Sequence, residues 1–207
     1  MCGIVGFSGK AGLEDRARFV ALCRQSCIRG VHAFGIAWHS PATGLQVFKS
    51  TDFDETMKAV PNPLPDKIVF HNRYSTSGDW RVPENNQPIH VCGNALVFNG
   101  TVDMGTKTEM EARYGIRMET DNDGEIVLLD FLAGKPFAHI GGFQSSFAGI
   151  FLGRDGTMTA FRNRMRPLWL FNEGGCKFIS STRDIAARAG FDKNNGQPVE
   201  PMKLMEL

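Results

Sequence analysis

Cys2-Gly3-Ile4-Val5-Gly6-Phe7-Ser8-Gly9 opens the chain directly behind Met1. The octapeptide reads as a short, largely apolar strand ending in glycine. Methionine removal tolerates a small second residue, so Cys2 becomes the N-terminus once Met1 is gone. A processed Cys2 carries a thiol and an α-amine on one residue. That amine ordinarily titrates at roughly pKa 7.7–8.0, so it accepts the thiol proton without a catalytic histidine. With Met1 attached, the Cys2 amine is blocked. A cysteine at a strand start is by itself an ordinary small residue, and its meaning depends on the segments that follow.

Those segments alternate between two periods. Leu13 to Cys27 carries apolar residues at Leu13, Ala17, Val20, Ala21 and Cys27, which predicts a helix stopped by Gly30. Ala33 to His39 and Leu45 to Lys49 predict two strands around Ser40-Pro41-Ala42-Thr43-Gly44. Pro61-Asn62-Pro63-Leu64-Pro65 is a connector. Ile68 to Tyr74 and Ala95 to Phe98 read as buried strands separated by a long polar loop, a length that marks function or disorder. Glu125 to Leu132 reads as a helix. Phe147 to Leu152 and Met158 to Arg162 flank Arg154-Asp155-Gly156, a hairpin signal. Leu168 to Phe171 and Lys177 to Ser180 form a second pair, followed by a helix over Ser181 to Ala189 with Ser181 and Asp184 at its start. Consecutive hairpins with helices grouped elsewhere predict an α+β fold with stacked sheets.

Composition narrows the function. The 207 residues carry 23 basic and 22 acidic side chains, a net charge of +1 that offers no electrostatic grip on nucleic acid or an anionic membrane surface. No apolar run approaches spanning length, and the N-terminus lacks the pattern of a secretory signal. Five cysteines are an odd number in a chain of ordinary length, which argues against a disulfide framework and for a reducing compartment, the cytosol of a cell or of an infected host. Cys23 and Cys27 share a helical face, and no further ligands at zinc spacing accompany them. Asp121-Asn122-Asp123-Gly124 lacks the ligand spacing of a calcium loop.

A series of motifs, in chain order, resembles the class II glutamine amidotransferases, which belong to the N-terminal nucleophile hydrolases. Cys2-Gly3-Ile4-Val5-Gly6 resembles their opening. Arg29-Gly30-Val31-His32-Ala33-Phe34-Gly35 resembles RG-x-D-x-x-G, with His32 where an acid is usual and no role assigned to it. His71-Asn72-Arg73-Tyr74-Ser75-Thr76-Ser77-Gly78 resembles H-x-R-[WY]-[AS]-T-x-G and is the most specific match. Asn86-Gln87-Pro88-Ile89 resembles N-x-[QH]-P and reads as loop shaping. Phe98-Asn99-Gly100 resembles [HF]-NG. Asn-Gly is also the commonest tight-turn dipeptide, but no obvious return strand follows Gly100. Thr120-Asp121-Asn122-Asp123-Gly124-Glu125 departs from the family's [ST]-D-[ST]-E; Asp121 is the preferred match and Asp123 the reserve. The segments around Phe147, Arg162 to Leu168 and Phe178 to Arg183 resemble the family's late core strands. Arg162, Arg164 and Arg166 alternate as on a solvated strand face.

The resemblance covers Cys2 to about Arg183 and implies a four-layer αββα sandwich of two mainly antiparallel sheets. It implies Cys2 as nucleophile and Asn99 with Gly100 as the oxyanion hole. Arg73 is implied to hold the α-carboxylate of L-glutamine, a match of guanidinium to carboxylate. Tyr74 and Thr76 stand with it, and Asp121 or Asp123 is implied to take the α-ammonium. No metal or organic cofactor is implied. Residues 1–207 read as one glutaminase domain, so ammonia is expected to pass to a synthase or transferase on a separate subunit. Three alternatives stand beside this: a hydrolase of another amide, an idle glutamine-sensing or scaffold subunit, and a Cys–His enzyme using His71 or His90.

Overall fold

A computed structural model describes residues 1–76, 78–140 and 146–207; Ser77 lies outside them. In chain order the elements begin with β1 (Gly3–Ser8), α1 (Asp15–Ser26), β2 (Ala33–Ser40), β3 (Gly44–Ser50), α2 (Phe53–Lys58) and β4 (Lys67–Arg73). β5 (Ile89–Val91), β6 (Asn94–Gly100), α3 (Lys107–Tyr114) and α4 (Gly124–Leu132) follow. The last third holds β7 (Phe147–Leu152), β8 (Met158–Arg162), β9 (Trp169–Glu173), β10 (Cys176–Ser180), α5 (Arg183–Arg188), β11 (Gly196–Pro198) and β12 (Met205–Glu206).

Among the described residues the strands form two sheets, ordered β11-β9-β10-β1-β4-β2-β3 and β12-β8-β7-β6-β5. Every pairing is antiparallel, so each strand presents alternate residues to opposite faces. On the first sheet, Phe7, Phe70 and Phe178 point outward to Phe19 and Leu22 of α1, Met57 of α2 and Ile185 of α5. Their neighbours Ile4, Val69 and Ile179 point inward, against Ala95, Val97, Ile150 and Ala160 of the second sheet. The outer face of the second sheet buries Leu96, Phe98 and Phe161 under Val127 and Leu128 of α4. Met110 of α3 packs on Ile126 of α4. The result is α+β with four layers, helices outside and two sheets between, as the motifs implied.

Several expectations need correction. Helix α1 buries Asp15, Phe19, Leu22, Cys23 and Ser26, while Leu13 is fully exposed and precedes the helix. The apolar rhythm located the helix and misread its inner face, because polar Asp15 and Ser26 have internal partners: Asp15 accepts the Gly12 amide and Ser26 bonds Asn72. Helix α5 starts later than Ser181. Thr182 caps it by accepting the Ile185 amide, and Ser181 instead accepts the Ile4 amide at 2.7 Å, tying the chain end of β10 to β1. The Arg162, Arg164 and Arg166 series is not a strand face: β8 ends at Arg162, and the Asn163 side chain turns the chain by accepting the Met165 and Arg166 amides. The loop after β4 contains β5 and a single turn over Pro83–Asn85, and α2, α3, β11 and β12 were not anticipated, being short or largely polar.

Candidate active site

The inward-facing rows of β1, β4 and β6 end at the candidate site residues. Steps of two residues from Ile4 reach Cys2, from Val69 reach His71 and Arg73, and from Val97 reach Asn99. Gly3 pairs with Asn72, so Cys2 lies beside Arg73 at the end of β4. Asn99 and Gly100 are the last residues of β6, paired with Ala148 and Phe147 of β7; they are strand residues, not a hairpin turn. A small cavity at this end is lined by Cys2, Arg73, Tyr74 and Thr76 on one side. Gln87, Phe98, Gly100, Asn122 and Asp123 line the other.

Arg73 is buried and firmly aimed. Its guanidinium donates to the Asn85 carbonyl and to Asn86 Oδ1, both at 2.6 Å, and to the Gly78 carbonyl at 3.2 Å. Asn86 in turn donates to the Trp80 carbonyl at 2.7 Å. The loop after β4 is thus a cradle for one guanidinium. Tyr74, half exposed, and Thr76 stand at the rim.

The two aspartates part company. Asp123 is buried, lines the cavity with Cys2, and accepts the Val102 amide at 2.6 Å and the Asp103 amide at 3.2 Å. Its charge reaches the Arg73 guanidinium. Asp121 is exposed, bonds Asn85, and lines a neighbouring cavity with Thr76 and Gly78. The preference for Asp121 does not match this placement; the acid that shares a cavity with Cys2 is Asp123. The start of α4 makes the difference, since Asn122 is anchored inward to the Asn85 carbonyl at 2.8 Å.

Asn99 is 3% exposed, and its Nδ2 has no hydrogen-bond partner among the described residues. A buried amide donor left unpaired costs about 1–3 kcal/mol, so it marks a place where an acceptor belongs. Gln87, read from sequence as loop shaping, lines the cavity and accepts the Phe98 amide through Oε1, which holds β6 in place next to Asn99.

The Cys2 thiol donates to the Tyr74 carbonyl at 3.6 Å. Burial pushes its pKa up, opposed by the charges of the N-terminal amine, Arg73 and Arg29. Arg29 donates to the Cys2 carbonyl at 2.7 Å. The terminal amine, on Met1 in this form, is lowered by burial and by Arg29 and Arg166. Arg166 is half-buried and feels Cys2, so it belongs to the surroundings of the site and not to a solvated face. His71 is fully buried between the sheets, and burial followed by the Arg73 charge drops its pKa to about 3. A histidine held neutral to that extent is no base for Cys2 near neutrality. His90 lines a separate cleft with Lys49 and Glu84. Among the described residues, no three His, Cys, Asp or Glu side chains are grouped to hold a metal, and no helix is long and apolar enough to cross a membrane.

No family model and no curated protein matches the sequence. Solved structures do. The glutamine phosphoribosylpyrophosphate amidotransferase from B. subtilis is 18% identical at a TM-score of 0.76, over 99% of this chain and 47% of that one. A structure described as the allosteric regulatory enzyme of purine biosynthesis is 19% identical at 0.75, over 99% and 46%. A glutamine aminotransferase class-II domain protein from Silicibacter pomeroyi is 11% identical at 0.59, over 98% and 93%. The chain therefore has the fold of class II glutamine amidotransferase domains, the N-terminal nucleophile hydrolase fold. It spans about half the length of the first two structures.

Proposed function

We propose that this chain, once Met1 is removed, hydrolyses the side-chain amide of L-glutamine and supplies the ammonia to an acceptor enzyme. Arg73 takes the α-carboxylate and Asp123 the α-ammonium, with Thr76 and Tyr74 at the rim. The freed Cys2 amine accepts the thiol proton, and the thiolate sulfur bonds to the amide carbon. Negative charge then develops on the amide oxygen, where the Asn99 Nδ2 and the Gly100 amide donate to it. The amine returns the proton to the leaving nitrogen, ammonia departs, and a thioester remains. Water adds to the thioester, glutamate leaves, and the thiol is regenerated.

The observation that carries this reading is the unpartnered, buried Asn99 Nδ2, set between Phe98 and Gly100, which line the cavity of Cys2. The first two matched structures hold about as much chain again outside the shared part, which supports an acceptor activity lying outside this fold. The test is glutamine turnover by the processed protein. Cys2→Ala abolishes it, and Asn99→Ala lowers kcat by about 10²–10³. A wild type no faster than Cys2→Ala rules the reading out.

A further inference from the structure

His32 has two kinds of contact that its place in the sequence did not suggest. Its ring stacks on Tyr74, with centroids 5.1 Å apart, and on Trp80, at 5.6 Å, each at an interplanar angle of 23°. Its backbone amide donates to the Arg73 carbonyl at 3.0 Å. Its Nδ1 accepts the Ser75 amide at 3.0 Å.

The Ser75 N–H and the Tyr74 C=O belong to one planar peptide unit. The Tyr74 carbonyl accepts the Cys2 thiol at 3.6 Å. One edge of this peptide therefore rests on His32 while the other holds the nucleophile. Bonds on the two edges polarise each other, and turning the plane breaks both. The arrangement needs a bare Nδ1, so the ring is neutral with its proton on Nε2. An imidazolium carries protons on both nitrogens and cannot accept the Ser75 amide.

We propose that His32 is a positioning residue for Cys2: stacked on Tyr74 and Trp80, its neutral ring orients the Tyr74–Ser75 peptide that seats the thiol, and protonation of the ring releases that peptide. This rests on Cys2 being the nucleophile. The ring is faced by the Tyr74 phenol, the Trp80 indole and the Ser75 amide. Beyond the indole lies the Arg81 guanidinium, 4.7 Å from its centroid and paired with Asp79 at 3.4 Å. Across the peptide lie the Cys2 thiol and Arg73, whose guanidinium turns to Asn85, Asn86 and Gly78. An aspartate at position 32 would accept the same amide and keep its charge across the neutral range.

The test compares processed wild type, His32→Asp, His32→Ala and His32→Asn, with matched melting temperatures confirming folding; should His32→Ala not fold, the alkylation profiles of the other three decide. Iodoacetamide alkylation of Cys2, followed by peptide mass spectrometry against pH, shows two inflections in wild type. The lower one coincides with the His32 titration seen by NMR, and His32→Asp lacks it. Glutamine kcat falls about fivefold in His32→Ala, the worth of one hydrogen bond, with KM changed less, and His32→Asp restores it. In His32→Asn the amide oxygen accepts the Ser75 amide, so kcat is kept and the lower inflection is lost. Identical alkylation profiles in wild type and His32→Asp overturn the proposal, as does a kcat that His32→Asp fails to restore. If no variant turns over glutamine but the alkylation profiles differ as stated, the glutaminase reading fails and the role of His32 stands.

Discussion

At the scale of the residue, Asp121 and Asp123 flank Asn122 and differ by burial: Asp121 is exposed, whereas Asp123 is 4% exposed with two backbone amides on its Oδ2. A carboxylate already held by amides is preorganised, so it meets an ammonium group without a further ordering cost. Asp123→Asn is expected to raise the KM for glutamine about 10- to 100-fold, the range for a hydrogen bond to a charged group. Asp121→Asn is expected to leave KM within about twofold, the ordinary scale for an exposed polar site. Steady-state kinetics on both variants decide the matter, and a larger effect at Asp121 would reverse the assignment. The sequence displays both acids equally well. It carries no local sign of which one turns inward, because that depends on Asn122 reaching the Asn85 carbonyl from 37 positions away. Asn99 was legible as a donor by resemblance. Its lack of a partner is a property of the packed interior.

At the scale of the element, Gly30 explains how the Arg29–Gly35 segment meets the end of β4. A Cβ there would sit 2.5 Å from the Arg73 carbonyl carbon and 2.6 Å from the Tyr74 nitrogen. The two backbones touch, and His32 is placed over Ser75 as a result. Gly30→Ala is expected to cost about 1–3 kcal/mol through overpacking, with about 2–4 °C lost from Tm per kcal/mol for a chain of this size. Glutamine turnover falls with it, since the displaced backbone belongs to Arg73 and Tyr74. Calorimetry is the check, and an unchanged Tm contradicts the packing. The hairpin of β7 and β8 was readable to the residue, because Asp155-Gly156 and alternation act over short range. The inner face of α1 was not, because Ser26 is buried against Asn72 of β4 and Asp15 beside Cys176 of β10, contacts that the helix sequence does not display.

At the scale of the whole molecule, the layer between the sheets carries a buried imidazole, His71, with a pKa lowered to about 3. In the unfolded chain the same group titrates near about 6.5. Its folded pKa is the lower one, so the unfolded state binds the extra proton. Stability is therefore full above about 6.5 and declines as pH falls toward 3, by up to about 1.4 kcal/mol per pH unit. Urea unfolding between pH 7 and 4.5 should show this slope, reduced in His71→Gln; equal slopes in the two proteins would place the dependence elsewhere. The same layer shows the division between sequence and structure. Read alone, the sequence determined the strand periods, the order of the motifs and the α+β layering, since these follow from local alternation and from residue type, while Cys2 became the candidate nucleophile only through the resemblance those motifs carry. Only the tertiary structure decided which acid faces Cys2, that Gln87 holds β6, and that His32 reaches the thiol through one peptide. Each of those depends on segments far apart in the chain meeting across the fold, and a local pattern records what a residue can do without recording what it will touch.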